Sequence, residues 1–330
     1  MDLTPIGSSH PVEALVKSRA LALGFDLVGI APACPSEHRE HLLGWLAAGR
    51  HADMAYMARD VERRLDIREH LPSARSVIMV AVSCFSRMIR SSDSAIFAMY
   101  ALNEDYHDWM KTRLRELGSD LEALAGRTVA WKAFVDTAAV LERELAERAG
   151  LGWIGKNAML INRRFGSHIL LGGLVTDLEL PVDQPAGGTC GRCRRCIEAC
   201  PSGAIIAPRV VDARCCIAYH TIESRADIPR TIAKNMGRRI FGCDICQEVC
   251  PFNNARIPQT RHDAFRPRPS VTNRTLRDLA VLSDEDFRIQ FRGSPVRRAK
   301  AAGLRRNALA ALEAAPLSER TDPPNPSGKD

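Results

Sequence analysis

No stretch of this sequence is apolar for long enough to cross a bilayer. The longest uncharged apolar run, Ser76–Phe85, is about half the ~20 residues a spanning helix needs. The first residues, MDLTPIGSSHPVEAL, lack the basic start and apolar stretch of an export signal. Neither a leader nor a membrane anchor is expected, and the expected location is the cytoplasm. Lysine is scarce too, with 7 residues against 39 arginines. What is present is a chain of 330 residues, 45% hydrophobic and 26% charged. That composition excludes a wholly disordered, collagen-like or fibrous protein and suggests two or three domains.

The net charge of +7 is unevenly spread. Residues 186–310 hold 23 basic and 11 acidic side chains, and the remainder of the chain is net acidic. A basic half suits an anionic partner, nucleic acid first. The competing reading makes the arginines a solvated face.

Nine of the eleven cysteines lie between Cys190 and Cys250. Without an export signal they are poor material for a disulfide framework. Zinc takes four ligands, often from paired C-x2-C motifs, and a run of four cysteines with a trailing proline is not typical of it. The run Cys190-x2-Cys193-x2-Cys196-x3-Cys200-Pro201 matches the bacterial ferredoxin signature. In that pattern three closely spaced thiolates wrap one cubane, and the fourth points to another. A second group, Cys243, Cys246 and Cys250-Pro251, repeats the idea. Cluster one is therefore assigned to Cys190, Cys193, Cys196 and Cys250. Cluster two takes Cys200, Cys243, Cys246 and one of the adjacent pair Cys215 and Cys216, which spacing does not separate. Two [4Fe–4S] centres with their thiolates offset roughly −4 of the local positive charge and leave a basic surplus. Cys34 and Cys84 read as ordinary buried cysteines.

Periodicity predicts a helix over 11–23, strands at Asp26–Ala31 and Ser76–Phe85, and a helix over 107–124. A strand Thr128–Val135, a helix Ala138–Ala149 and a strand Gly166–Thr176 follow. The class expected is α+β with α/β-like alternation. Residues 1–182 form the first domain, 183–255 a ferredoxin-like two-cluster module entered through the linker Pro181–Gly188, 256–315 a short C-terminal helical region, and 316–330 a disordered tail. Asp136, just before the expected helix at 138, reads from pattern alone as its N-cap.

The segments DVERR (60–64), EDYHDWM (104–110), VDTAAVLERELAERAGLGWIGKN (135–157), CIAYHTIE (216–223) and FGCDICQEVCPFN (241–253), with the cysteine module, resemble the epoxyqueuosine reductase family. The resemblance covers most of residues 10–310. The 135–157 block is its specific part, since the cysteines alone would indicate only a ferredoxin-like protein. The resemblance implies a cobalamin-dependent reductase, related by fold to reductive dehalogenases, that converts epoxyqueuosine to queuosine at the tRNA wobble position. It implies that the first domain binds the corrin and that both clusters relay electrons from an external low-potential donor to cobalt. It makes Cys216 the lone ligand of cluster two and Asp136 the proton donor. Arg64, Lys156, Leu160, Leu171 and Asp244, with Asp136, would lie against cobalamin. A tRNA-length substrate is compatible with a monomer.

The chemistry suits these parts. Deoxygenating an epoxide takes two electrons and two protons, whereas iron–sulfur clusters pass electrons singly, so a two-electron centre must collect them. A positioned acid contributes on the order of 10²–10⁴-fold. An aspartic acid serving near neutral pH needs a raised pKa, which burial against the corrin would supply. Arg225, Arg230, Lys234 and Arg238, between Cys216 and Cys243, are the candidate phosphate contacts. Tyr219 and His220 are candidates to stack on a splayed base. The chain departs from the family pattern with Met99 for Arg, Ala139 for Pro, Gly173 for Glu, Ala218 for Ser and His220 for Leu. Two other readings compete: a corrinoid reductase of another small molecule such as an organohalide, and a plain ferredoxin-type carrier. The 150 residues ahead of the cysteines argue against the carrier.

Overall fold

The computed structural model describes residues 12–88, 91, 93–254 and 256–315. The expected disordered tail, 316–330, lies outside the described residues, as does the start of the chain.

Strands Leu27–Pro32, Ser76–Ser83, Ile169–Thr176 and Trp131–Phe134 form, in that spatial order, a four-stranded sheet with every neighbouring pair antiparallel. Ser76–Ser83 and Trp131–Phe134 run the same way and are joined through the long helix Tyr106–Ala125, with Ile169–Thr176 inserted between them. This split β-α-β unit explains why strand–helix alternation in the sequence does not make a parallel sheet, and the class is α+β as expected. Ser76–Ser83 is buried along its length. Ile78, Val80 and Val82 enter one core and Val77, Met79 and Ala81 the other, as the two-residue period of a strand requires.

Helix Tyr106–Ala125 begins at Asp105, whose side chain accepts the His107 N–H, and ends at Gly126 with φ +64°. Met110, Leu114, Leu117 and Leu121 form its buried stripe. Gly118 is required by close approach, because a Cβ there would stand 2.5 Å from the Trp131 ring.

The first core does not stop at the linker. It takes in Ile217, Ile232, Met236 and Phe241, and then Phe265, Phe291 and Leu304 from the C-terminal region. That region ends in a 15-residue helix, Lys300–Ala314, longer than the short helices expected. Its Asn307 is fully buried and donates to Thr221 O and Ile240 O, both at 2.8 Å, so the helix braces the segment between Cys216 and Cys243. The linker has no regular structure but is anchored: Asp183 pairs with Lys17 at 2.6 Å and accepts the Ile30 N–H at 2.8 Å. Among the described residues no helix is long and apolar enough to cross a membrane.

Candidate functional site

Folding gathers the eight predicted thiols into two neighbouring groups. Cys190, Cys193, Cys196 and Cys250 line one cavity with Asn157, Ile161 and Phe252. Cys216 neighbours Cys200, Cys243 and Cys246. Burial first, and then the surrounding thiols, pushes the Cys243 thiol up to about 11, and the Cys196, Cys216 and Cys246 thiols rise for the same reasons. Crowded, half-buried thiols of this kind ionise only where a cation compensates the thiolates. Among the described residues no three His, Cys, Asp or Glu side chains converge as a single ion requires. The donor set is all sulfur and in two fours, which fits two multi-iron cages better than zinc. Cys84 is buried as expected, but Cys34 is only half-buried, with Arg148 Nη1 3.3 Å from its sulfur.

The hairpin of Trp153–Ile154 and Leu160–Ile161 grips both groups. Lys156 Nζ donates to Gly191 O at 2.7 Å and Cys193 O at 2.9 Å, in the cluster-one loop. Asn157 Nδ2 donates to Cys246 O at 3.3 Å. Trp153 meets Phe252 edge-on, with centroids 4.8 Å apart. Lys156, expected against cobalamin, is therefore committed to cluster-loop carbonyls, which a long flexible amine reaches across the turn.

Asp136 follows the strand Trp131–Phe134 and is not a helix N-cap. The helix starts later, at Glu142, because tight turns at Thr137 and Val140 use the intervening backbone. Asp136 adopts φ +51°, the left-handed region. Its N–H donates to Glu142 Oε1 at 2.5 Å, and its Oδ2 lies 3.2 Å from His107 Nε2. The other ring nitrogen of His107 lies 2.6 Å from Asp105 Oδ1. The Asp136 side chain is 59% exposed, yet it stands in a recess, electrostatically coupled to Tyr100, Tyr106, Arg143 and Arg298.

The electrostatics around Asp136 are set here by the protein's own groups. Burial would raise its carboxyl, but the His107 hydrogen bond and charge, with Arg143 and Arg298, outweigh burial and hold it below the usual range. Burial likewise opposes the charge on His107, but Asp105 and Asp136 carry that imidazole up to about 9. Glu142 is pushed up to about 8, first by burial and then by the Asp136 charge. At neutral pH the protons thus sit on His107 and Glu142, next to an ionised Asp136.

Other predicted residues sort by their partners. Arg64 is half-buried, with Nη2 3.2 Å from Tyr56 O and a buried Nε that has no partner, as suits a side chain awaiting an acceptor such as a corrin amide or phosphate. Leu160 is buried and Leu171 packs against the same core, on the sheet face shared with Phe134. Asp244 has both oxygens in use within the protein: Oδ2 accepts the Met99 N–H at 2.6 Å and Oδ1 accepts from Gln247 Nε2 at 3.0 Å. Gly173 leaves no room for a side chain, since a Cβ would stand 2.7 Å from Phe134 Cζ.

Of the candidate phosphate contacts, Arg230 and Lys234 are exposed at i,i+4 on helix Arg230–Met236. Arg225 instead donates to Ala299 O at 3.2 Å and Arg298 O at 2.8 Å, and Arg238 donates to Ser91 O and Ser94 O. Tyr219 and His220 are buried rather than stacking platforms. The Tyr219 hydroxyl meets Asp53, and His220 Nε2 lies 2.8 Å from Arg214 O. Sequence reasoning assigned no role to His107, Glu142 or Arg298, although the first two lie in the EDYHDWM and LERELA segments. Arg298 joins the recess through a two-pronged pair with Glu223, at 2.6 and 3.1 Å.

Two family models match the chain: "4Fe-4S double cluster binding domain" over residues 189–253 and "Epoxyqueuosine reductase QueG, DUF1730" over residues 64–137. The epoxyqueuosine reductase of Gloeobacter violaceus is 46% identical over 313 residues, covering 92% of this chain and 97% of the relative. That of Synechocystis sp. is 45% identical over 292 residues, covering 87% of this chain and 100% of the relative. A crystal structure of epoxyqueuosine reductase with an epoxyqueuosine-modified tRNA-Tyr stem loop superposes with a TM-score of 0.85 at 27% identity, covering 92% of this chain and 81% of that one. The same figures hold for the Bacillus subtilis enzyme with its catalytic aspartate loop swung out of the active site.

Proposed function

The chain belongs to the epoxyqueuosine reductase family, and we propose that the recess around Asp136 is where it removes the epoxide oxygen of epoxyqueuosine in tRNA, yielding queuosine. Both carbon–oxygen bonds break, two electrons enter, and the oxygen leaves as water with two protons. Cobalamin, held beside Asp136 and Arg64, would supply a centre able to collect two electrons, and [4Fe–4S] clusters held by the eight thiolates would supply electrons singly.

The chain's own residues handle binding and protons. The proton starts on His107, protonated at neutral pH and 3.2 Å from Asp136 Oδ2, and passes through that carboxylate to the epoxide oxygen, while Asp105 holds the ring so that both nitrogens donate. Arg298 and Arg143 add positive charge beside the developing oxyanion. Arg64 offers its unpartnered Nε to the cofactor. Lys156 and Asn157 hold the two cluster loops against the catalytic domain, and Asp244 fixes the stretch between Cys243 and Cys246. We read 135–141 as the counterpart of the loop that swings out in the Bacillus subtilis enzyme. Arg230 and Lys234 meet tRNA phosphates. The enzyme acts as a cytoplasmic monomer fed by a separate low-potential donor.

The observation carrying this reading is the His107–Asp136 pair, a stored proton beside an exposed carboxylate. Its test is anaerobic reconstitution with iron, sulfide and cobalamin, followed by reductant and epoxyqueuosine-containing tRNA. The modified nucleoside loses the mass of one oxygen atom, and only when cobalamin is supplied. An unchanged mass with both cofactors verifiably bound rejects the tRNA reading and leaves a reductase of another substrate.

A further inference from the structure

We propose that Glu142 is the positioning residue that latches the Asp136 loop into the recess. The inference rests on Asp136 being the proton-transfer residue. Asp136 holds φ +51°, a conformation that L-residues adopt reluctantly, although Asp tolerates it better than most. Something must stabilise it, and the strand behind it ends at Phe134. Between Asp136 and the helix at Glu142 the backbone makes two local turns, Thr137 N–H to Val135 O and Val140 N–H to Ala138 O. The loop is tied to the rest of the molecule at its far end, where His70 Nε2 lies 2.9 Å from Ala139 O and Val140 enters the second core, but neither contact holds the Asp136 peptide itself. The Asp136 N–H to Glu142 Oε1 bond, 2.5 Å long, anchors this backbone to a helix, and the His107 contact anchors the side chain.

The helix supplying the latch is itself fixed at its other glutamates. Glu144 is buried, accepts from Ser36 Oγ at 2.6 Å and from Glu37 N–H at 3.0 Å, and pairs with Arg148 at 2.5 Å. Glu147 accepts the Ile154 N–H at 2.7 Å, at the start of the hairpin that grips the clusters. Glu142 is thus a fixed point held in register with both the catalytic loop and the cluster module. The groups facing it are Asp136 on the loop, His107 and Tyr106 on the long helix, Arg64 on helix Val61–Leu65, and Arg143 beside it. With its carboxyl raised to about 8, Glu142 is mainly neutral at pH 7, so its oxygen accepts the N–H without setting a second anion against Asp136. A glutamine should therefore replace it, and an alanine should not.

The test uses the full chain with its clusters and without cobalamin, so that it reads the latch independently of turnover. Hydrogen exchange at the Asp136 amide should quicken on the order of tenfold in Glu142→Ala, the effect of losing one such bond, and should stay near wild type in Glu142→Gln. In the loaded enzyme Glu142→Ala should lower kcat by about 100-fold, the scale of an ångström-sized misplacement, and leave KM for tRNA unchanged. Glu142→Asp, one methylene shorter, should follow the alanine variant and serves if alanine does not fold. Unchanged exchange at Asp136 in a folded alanine or aspartate variant overturns the proposal, as does a glutamine variant as impaired as alanine. If instead Asp136→Asn retains activity while the exchange results hold, the proton-transfer reading fails and the latch stands.

Discussion

Lys156 Nζ lies 2.9 Å from the carbonyl oxygen of Cys193, so one side chain of the 153–161 hairpin holds the loop that carries Cys190, Cys193 and Cys196. Its second bond, to Gly191 O at 2.7 Å, closes the same turn. Lys156→Met keeps the stem and removes both bonds. Cluster one should be lost faster to a chelator, with the Cys200–Cys216–Cys243–Cys246 site retained, and iron analysis with electron paramagnetic resonance would resolve the two. Equal loss of both clusters would contradict this role.

His107 sets a pH limit. Its folded value is about 9 against 6.5 for the free side chain. A group raised in this way adds stability that is fully present below pH 6.5 and is lost as pH rises through about 9. Cobalamin-free protein should therefore melt at a lower temperature at pH 9.5 than at pH 6.5, and His107→Asn should flatten that dependence. Activity should fall through the same window, and His107→Asn should cost on the order of 10²–10⁴-fold.

Arg230 and Lys234 should behave differently from Arg225. Arg230→Gln and Lys234→Gln should each weaken tRNA binding and reduce the steepness of its salt dependence by about one. Arg225→Gln removes bonds to Ala299 O and Arg298 O and should lower the melting temperature with little change in salt slope. Filter binding across a salt series and thermal melts separate the two.

Gly166 holds φ +67°, and a Cβ there would stand 2.0 Å from Asn253 Oδ1. Asn253 is committed to Ser167, accepting its N–H at 2.8 Å and donating to its hydroxyl at 2.9 Å. Gly166→Ala should destabilise the chain by roughly 2 kcal/mol or more, from backbone strain and the displaced amide. Chemical denaturation would measure it.

The gathering of Cys190, Cys193 and Cys196 was legible in the sequence because it is local, whereas the approach of Cys250 to them depends on tertiary folding. The Ser76–Ser83 strand and the Tyr106–Ala125 helix were legible from their periods. Asp136 was not legible as a non-cap, because its conformation depends on Glu142 and His107, which tertiary folding brings to it. Arg225 and Arg238 looked like phosphate contacts because a basic run reads as surface until other segments bring carbonyls against it. The Lys156 contacts to Gly191 O and Cys193 O were not legible either, since a flexible amine goes to whatever oxygen folding places within reach.

Turnover depends on a proton passed from His107 through Asp136. The most direct measurement is the mass of the nucleoside after incubating epoxyqueuosine-containing tRNA with Asp136→Asn, loaded with both clusters and cobalamin and shown to be reduced. The epoxide oxygen should stay in place although electrons are available. Conversion at the wild-type rate would contradict it and move the proton to another group in the recess.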